Sequence, residues 1–253
     1  MGALTGKTAW VTGAGGGIGE AAARELAEAG ATVFISGRRA EPLEEVAKSI
    51  REAGGEVEVV QLDVSDDEAT AEAARRIAHK AGGIDILVAN AGINVPNRST
   101  SQVTAKDFRQ VVDINLTGVM NCTLPVLELM RAAGGGLIVM VSSWAGRHAS
   151  KLTGPAYNAS KHGVVALSHS INMEEGVNGI RCCVVMPGEV NTPIMEKRPI
   201  PPAPEVRAKM LQPGDLGRAI RFVAEAPAHV CINEILISPT HNRTFIPPEP
   251  GKG

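Results

Sequence analysis

A tyrosine and a lysine stand four residues apart at Tyr157 and Lys161. On a helix, side chains at i and i+4 share a face, so the phenol and the ammonium would lie together. A phenol with a free pKa of about 10 is a poor base at neutral pH, and a neighbouring ammonium lowers that pKa. Tyr157 is also the single tyrosine of the chain. The pair therefore indicates acid–base chemistry, with a surface tyrosine–lysine contact as the alternative.

Two serines, Ser142 and Ser143, precede this pair at the end of a predicted strand. In an open α/β sheet the carboxyl ends of the strands line the ligand crevice. A serine hydroxyl at that position would share the crevice with Tyr157. Spacing alone does not separate Ser142 from Ser143.

A glycine-rich segment, Thr12-Gly13-Ala14-Gly15-Gly16-Gly17-Ile18-Gly19, joins the first predicted strand to the first predicted helix. Glycines allow the backbone to approach a pyrophosphate closely, and the N–H groups at the helix start stabilise its negative charge. A plain turn is the alternative interpretation. The position between a strand and a helix, in the first α/β unit, favours nucleotide binding.

These residues need a sheet to position them, and the chain alternates short apolar runs with longer amphipathic stretches. Strands are predicted over residues 8–12, 32–36, 57–62, 84–89, 137–142, 181–186 and 235–238. Helices are predicted over residues 18–29, 41–53, 66–81, 104–131, 155–175 and 214–226. This alternation predicts an α/β fold, a doubly wound parallel sheet of about seven strands with helices on both faces. A proline-rich loop over residues 191–213 and an extended tail from residue 239 interrupt the pattern.

Taken in order, these motifs resemble the short-chain dehydrogenase/reductase family, over the stretch from Lys7 to about Ser238. Thr12-Gly13-x-x-x-Gly17-x-Gly19 is similar to the cofactor loop of that family. Asn90-Ala91-Gly92 is similar to its motif after the fourth strand, although Ala89 replaces the first asparagine usual there. The resemblance implies a Rossmann-type fold in which residues 1–253 form one dinucleotide-binding oxidoreductase domain.

The resemblance also implies a catalytic tetrad made of Asn115, Ser143, Tyr157 and Lys161. Tyr157 would pass a proton between the substrate oxygen and solvent while a hydride moves to or from a nicotinamide. Lys161 would hold the nicotinamide ribose and lower the pKa of the tyrosine. Ser143 would hydrogen-bond the substrate oxygen, and Asn115 would position a water that links Lys161 to solvent. Ser143 is preferred to Ser142 because it stands three residues before Gly146, as the matching serine does in the family.

The cofactor contacts implied by the resemblance include Tyr157, Lys161 and a larger set around the sheet edge. That set is Gly13, Gly15, Gly16, Gly17, Ile18, Gly19, Arg38, Asp63, Val64, Asn90, Ala91, Gly92, Pro187, Gly188, Val190 and Thr192.

The end of the second strand indicates which dinucleotide binds. An acidic residue there would bind a ribose 2′-hydroxyl, whereas an arginine would accept a 2′-phosphate. The chain has Gly37 where an NAD-specific relative would carry aspartate, and Arg38 follows directly. NADP is therefore the predicted cofactor, with NAD, and an Arg38 that merely faces solvent, as the alternative.

Composition excludes several other functions. The 253 residues carry 25 Lys and Arg against 27 Asp and Glu, a net charge of −2, which argues against binding to nucleic acid or to anionic membranes. No apolar run approaches the roughly 18 to 20 residues of a membrane span, and the N-terminus lacks the pattern of a signal peptide. Scattered histidines and four cysteines without C-x-x-C spacing predict reduced thiols, no metal site and a cytoplasmic protein.

The sequence thus predicts an NADP-dependent oxidoreductase that interconverts a small-molecule carbonyl and a secondary alcohol. The resemblance implies a homodimer or homotetramer assembled through the helices that carry Asn115 and Tyr157. Three alternatives stay open: an NAD-dependent dehydrogenase of the same family, a lyase or dehalogenase on the same fold, and a non-catalytic dinucleotide-binding protein. Substrate choice is expected to reside in residues 93–100, 144–154 and the substrate loop 191–213. Three basic residues of that last loop are open to two interpretations, an attraction for an acidic substrate or a solvated face: Lys197, Arg198 and Arg207.

Overall fold

The computed structural model describes residues 2–198, 200–242 and 245. Within them lies one parallel sheet with the strand order β3-β2-β1-β4-β5-β6-β7. Its strands are β1 Thr8–Thr12, β2 Thr32–Gly37, β3 Val57–Gln61, β4 Ile86–Ala89, β5 Gly136–Val141, β6 Ile180–Pro187 and β7 Glu234–Ile237. The doubly wound parallel sheet predicted from the sequence is confirmed. The strand order reverses between β1 and β4, and a crevice opens at such a switch point.

Helices cover both faces of this sheet. In the described part of the chain they are α1 Gly17–Glu28, α2 Ala40–Glu52, α3 Asp67–Ala81, α4 Ala105–Val112, α5 Gly118–Ala133, α6 Pro155–Glu175, α7 Pro204–Arg207 and α8 Pro213–Glu225. Helices α1, α2 and α8 pack on one face, and α3, α5 and α6 pack on the other. Among the described helices, none is long and apolar enough to span a membrane.

The core is aliphatic because the chain has few aromatic side chains. All five residues of β1 are buried, as expected for a central parallel strand covered on both faces. Trp10 is fully buried in that strand, and its indole N–H donates to the Ser36 hydroxyl at 2.8 Å. This bond satisfies the polar group that the ring would otherwise bury without a partner.

The predicted helix over residues 104–131 is wrong in one respect, because a π-helical turn, Asp113–Thr117, divides it into α4 and α5. Thr104 caps α4 in a capping box with Asp107, so the helix start agrees with the sequence. A π turn adds a residue to the turn and is frequent at functional sites. Asn115 lies inside it, fully buried.

The proline-rich loop contains secondary structure and is not irregular throughout. Of residues 191–213, the structure describes all but residue 199 and includes a 3₁₀ turn, Pro193–Lys197, together with α7. A parallel bridge between Val190 and Leu211 closes its base. The predicted tail from residue 239 lies largely outside the described residues.

Candidate active site

The glycine loop after β1 leaves no room for side chains at two positions. Gly13 has a positive φ of 65°, and a Cβ atom on it would lie 2.7 Å from the Cα of Ala91. A Cβ on Gly19 would collide with the carbonyl oxygen of Gly13. The loop therefore lies directly against the segment that follows β4, and only glycine fits at these positions.

Hydrogen bonds fix this loop to the end of β4. The side-chain amide of Asn90 donates to the carbonyl oxygens of Thr12 at 3.0 Å and Gly13 at 3.1 Å. The Thr12 hydroxyl accepts from the backbone N–H groups of Asn90 and Ala91. The two motifs thus meet at the switch point of the sheet, where α1 begins, and a helix start leaves backbone N–H groups free to bind an anion.

The turn after β6 lies opposite the glycine loop. Gly17, with φ of 60°, would place a Cβ 3.1 Å from the Cγ2 of Thr192. The N–H of Gly188 donates to the carbonyl oxygen of Ile237 at 2.7 Å. Val190 pairs with Leu211 at the base of the substrate loop. The segment Pro187–Thr192 therefore borders the same crevice from the β6 side.

Arg38 and Asp63 lie beyond the ends of β2 and β3. The guanidinium Nη1 of Arg38 is 3.9 Å from Oδ2 of Asp63, and both side chains are exposed. An exposed ion pair of this kind contributes little to stability, so Arg38 can turn toward another anion at low cost. The neighbouring Val64 is buried, and its carbonyl accepts from Asn121 at 3.0 Å.

Tyr157 and Lys161 share one face of α6. The ammonium Nζ of Lys161 lies 5.7 Å from the centre of the tyrosine ring and donates to the carbonyl of Val141 at 2.8 Å. Lys161 is 3% exposed, whereas Tyr157 is half-buried. Gly154 and Pro155 start the helix, with proline in its first turn.

The structure separates the two serines that spacing left open. Ser143 caps the 3₁₀ turn Trp144–Gly146, and its side chain lies close enough to Tyr157 to lower the pKa of the phenol. Ser142 is buried, and its hydroxyl donates to the backbone carbonyl of Lys161 at 2.8 Å. Ser143 is thus the serine beside the phenol, and Ser142 holds the α6 backbone.

Asn115 fixes the loop that follows β4. Its Oδ1 accepts from the N–H of Ile93 at 2.7 Å, and its Nδ2 donates to the carbonyl of Ile93 and to the Ser160 hydroxyl. A Cβ on Gly92 would lie 3.4 Å from Oδ1 of Asn115 and 3.5 Å from Nζ of Lys161. The structure brings the four proposed catalytic residues together, with Gly92 between the asparagine and the lysine.

Burial changes the acid–base behaviour of the pair. It lowers the pKa of Lys161 from 10.5 to about 8. It also raises the pKa of Tyr157, while the Ser143 hydrogen bond and the charges of Arg98 and Arg198 pull it down. The direction is opposite to the sequence expectation, which had Lys161 lowering the tyrosine pKa. Desolvation of the phenol outweighs the charges around it.

Sequence reasoning missed Arg98 as a neighbour of Tyr157. Arg98 is 8% exposed and follows the Asn115-bound loop. The one sequence feature that could have pointed to Arg98 is its position in the predicted substrate segment 93–100. Nothing in the local sequence indicates that its side chain is buried. Within residues 2–198, 200–242 and 245, no three His, Cys, Asp or Glu side chains form a group that could hold a metal ion.

Comparison with known proteins decides the family. The family profile described as short chain dehydrogenase matches residues 7–201. The chain belongs to the short-chain dehydrogenase/reductase family. The resemblance drawn from its motifs is thereby confirmed, and this short-chain dehydrogenase is an NAD(P)-dependent enzyme.

Named relatives of this short-chain dehydrogenase act as dehydrogenases. Cis-4-hydroxycyclohexanecarboxylate dehydrogenase of Sinomonas cyclohexanicum is 38% identical over 239 residues, which cover 91% of this chain and 94% of the relative. 3beta-hydroxysteroid dehydrogenase of Mediterraneibacter gnavus is 36% identical over 197 residues, which cover 78% of this chain and 71% of the relative.

Solved structures of short-chain dehydrogenases share the fold. A metagenomic short-chain oxidoreductase in complex with NADP is 31% identical with a TM-score of 0.82, covering 94% of this chain and 99% of its own. An alcohol dehydrogenase from the archaeon Thermococcus sibiricus, complexed with 5-hydroxy-NADP, is 28% identical with a TM-score of 0.84. The match covers 94% of this chain and 98% of the alcohol dehydrogenase. These neighbours support a nicotinamide dinucleotide as the cofactor.

Proposed function

We propose that this protein is an NADP-dependent oxidoreductase that interconverts a carbonyl and a secondary alcohol, with Tyr157 as the acid/base. The observation that carries the proposal is the position of Lys161, 5.7 Å from the centre of the Tyr157 ring on one face of α6, with Ser143 close enough to lower the pKa of the phenol. These groups lie where the sheet opens its crevice. A non-catalytic dinucleotide-binding protein has no need for this arrangement.

The residues at the crevice fit a dinucleotide. Gly13 and Gly19 leave a cradle that a Cβ atom would block, and the N-terminus of α1 would face a pyrophosphate. Lys161 and Tyr157 would contact the nicotinamide ribose, and the Pro187–Thr192 turn would border the nicotinamide ring. When bound, the nicotinamide supplies or accepts the hydride.

The chain's own groups handle the proton and the charge on the substrate oxygen. Tyr157 would donate its hydroxyl proton to the carbonyl oxygen in reduction, and its phenolate would accept the alcohol proton in oxidation. Ser143 would donate a hydrogen bond to the same oxygen and stabilise the charge that develops there. Lys161, with its pKa at about 8, keeps its ammonium at neutral pH, where it would hold the nicotinamide ribose.

Arg38 supports the choice of NADP over NAD. It stands beyond the end of β2, where a 2′-phosphate would need a cation, and Gly37 leaves that position without a carboxylate. Asp63 forms only an exposed contact with Arg38 at 3.9 Å, so the guanidinium can exchange that partner for a phosphate.

The test is a fluorescence titration with NADPH and NADH, followed by turnover of the binary complexes on a panel of ketones, aldehydes and secondary alcohols. We expect tight NADPH binding and carbonyl-dependent consumption of the dinucleotide. Dinucleotide binding without turnover on any carbonyl or alcohol would instead indicate a binding protein. Conversion of a substrate without any change in the dinucleotide would indicate a lyase or dehalogenase.

A further inference from the structure

Arg207 connects the two arms of the substrate loop, an outgoing arm of residues 191–196 and a return arm of residues 204–212. It ends α7, and its side chain is 27% exposed. Its Nε donates to Oδ1 of Asn191 at 2.7 Å, and its Nη1 pairs with Oε1 of Glu196. A guanidinium presents its N–H donors in a fixed planar fork, so one side chain holds both acceptors. Arg207 therefore binds the loop itself.

The side-chain amide of Asn191 is held at both ends by the return arm. Its Oδ1 accepts from Arg207, and its Nδ2 donates to Oε1 of Gln212 at 3.1 Å. The Nε2 of Gln212 donates to the backbone carbonyls of Arg207 at 3.3 Å and Met210 at 3.1 Å. These hydrogen bonds form a closed network that begins and ends at Arg207, and such a network fixes the orientation of its members.

The backbone connection between the two arms is short. The N–H of Asn191 donates to the carbonyl of Leu211 at 2.8 Å, and the N–H of Leu211 donates to the carbonyl of Glu189 at 3.0 Å. Leu211 is buried in the apolar core, so the return arm is anchored to the body of the protein. A strand pairing this short is marginal alone. The position of Asn191 therefore depends on Arg207 as well.

Asn191 lies between Val190 and Thr192, two of the cofactor contacts that the family resemblance implies. Thr192 is 9% exposed and faces the glycine loop, since a Cβ on Gly17 would lie 3.1 Å from its Cγ2. A displacement of Asn191 would move Thr192 with it. The contact network of Arg207 thus sets the gap between the turn after β6 and the glycine loop.

We propose that Arg207 is a positioning residue for the dinucleotide, and that it acts through Asn191 on the turn Pro187–Thr192. The inference rests on the proposed function for one point, the assignment of that turn to the nicotinamide. Loss of Arg207 should weaken the binding of the nicotinamide half. The adenosine half, at the glycine loop and Arg38, should bind as before.

The test is calorimetric titration with NADPH and with 2′,5′-ADP, which has the adenosine and the 2′-phosphate but no nicotinamide. NADH and ADP give the same comparison for a protein that prefers NAD. For Arg207→Met we expect the dinucleotide affinity to fall about tenfold, the effect of losing a charge-assisted hydrogen bond, with the affinity for the nicotinamide-free ligand unchanged.

Two further variants at charged positions serve as controls. Arg207→Lys keeps the charge without the planar fork, so its dinucleotide affinity should lie between those of wild type and Arg207→Met. Arg75→Met is the matched control, because the Arg75 side chain on α3 is 65% exposed and pairs with Glu72. It should leave the affinities for both ligands unchanged.

A double-mutant cycle tests whether Arg207 acts through Asn191. Asn191→Ala removes the acceptor and should weaken NADPH binding to a similar degree. The double variant should bind NADPH about as well as either single variant, because both substitutions break the same contact. Hydrogen exchange gives a second readout. The backbone N–H groups of Asn191 and Leu211 should exchange faster in Arg207→Met, and those of β1 should exchange at the wild-type rate.

Several results would overturn the inference. One is an Arg207→Met protein with wild-type dinucleotide affinity. Another is an equal loss of dinucleotide and nicotinamide-free ligand, because the arginine would then support the site as a whole. Additive losses in the cycle would show that Arg207 does not act through Asn191. Should Arg207→Met fail to fold, Asn191→Ala carries the same expectation for the two ligands.

These binding results do not depend on turnover. A selective loss of dinucleotide affinity in a protein that converts no carbonyl or alcohol would support the role of Arg207 and refute the proposed oxidoreductase activity. A wild-type protein that binds neither NADPH nor NADH would refute both.

Discussion

At the scale of single residues, the surroundings of Tyr157 determine how readily its phenol loses the proton. Burial makes the phenolate of Tyr157 costly, and Ser143, Arg98 and Arg198 each reduce that cost. A neutral phenol is the form that donates a proton, so we expect burial to favour Tyr157 as the donor in reduction near neutral pH.

Cofactor choice depends on two adjacent residues, Gly37 and Arg38. A Cβ on Gly37 would lie 3.6 Å from Cδ2 of Leu43, an ordinary contact, so aspartate fits there. We expect wild type to bind NADPH roughly tenfold to a hundredfold more tightly than NADH, from a charge-assisted hydrogen bond to the 2′-phosphate. Gly37→Asp should reverse the preference, and Arg38→Ala should weaken NADPH alone. Fluorescence titration of the three proteins measures this, and equal NADPH and NADH affinities in wild type would refute it.

Lys161 should cost the protein stability. Its folded pKa of about 8 lies below the ordinary 10.5, so between these pH values the folded chain binds fewer protons than the unfolded chain. Stability therefore rises with pH across that window, and the cost of burying the charge is fully present below it, about 3 kcal/mol. Lys161→Met removes this cost but also loses the hydrogen bond to the Val141 carbonyl. We therefore expect the variant to be more stable than wild type by about 2 kcal/mol at pH 7.

Urea unfolding at pH 7 and pH 10 measures this difference. The advantage of Lys161→Met should shrink at the higher pH. Lys48→Met is the control, since the Lys48 side chain is 77% exposed and its charge is already in water. A Lys161→Met protein that is less stable than wild type at pH 7 would contradict the account.

At the scale of elements, the junction of β1, α1 and the end of β4 depends on glycine. Gly19→Ala would press its Cβ against the Gly13 carbonyl and the Asn90 amide, which hold the loop. We expect it to weaken dinucleotide binding by about tenfold or more and to lower Tm. Gly176→Ala is the matched control, because a Cβ there meets nothing within 4 Å. Titration and thermal melts compare the two, and a Gly19→Ala protein with wild-type affinity would show that the junction tolerates a side chain.

Much of this architecture could be predicted because it follows local rules. Buried parallel strands appear as short β-branched runs, and the glycine loop lies between a strand and a helix in the chain itself. The π turn around Asn115 could not be predicted, because one additional residue in a turn hardly changes the apolar periodicity. The placement of Arg98 depends on contacts with Gly154, far along the chain, and no local pattern reports such contacts.

At the scale of the whole molecule, apolar side chains lie exposed on the two long helices. Leu124 on α5 is 55% exposed and Met173 on α6 is 77% exposed. We expect α5 and α6 to pack against a second copy of the chain, as a homodimer or homotetramer. Light scattering at micromolar concentration should give at least twice the 26.4 kDa of one chain. A single species at 26.4 kDa would contradict this assembly.

Two further expectations from the sequence stay predictions: that the chain forms a single domain, and that the protein is cytoplasmic.

The most direct test of the account is the turnover of Tyr157→Phe, which keeps the ring and its packing but removes the exchangeable proton. With the best substrate of the wild-type enzyme, we expect kcat to fall by at least about a hundredfold, the lower end of general acid–base contributions. Dinucleotide affinity should stay within about twofold, because the glycine loop and Arg38 are untouched. A Tyr157→Phe enzyme that retains most of its activity would show that the proton comes from another group.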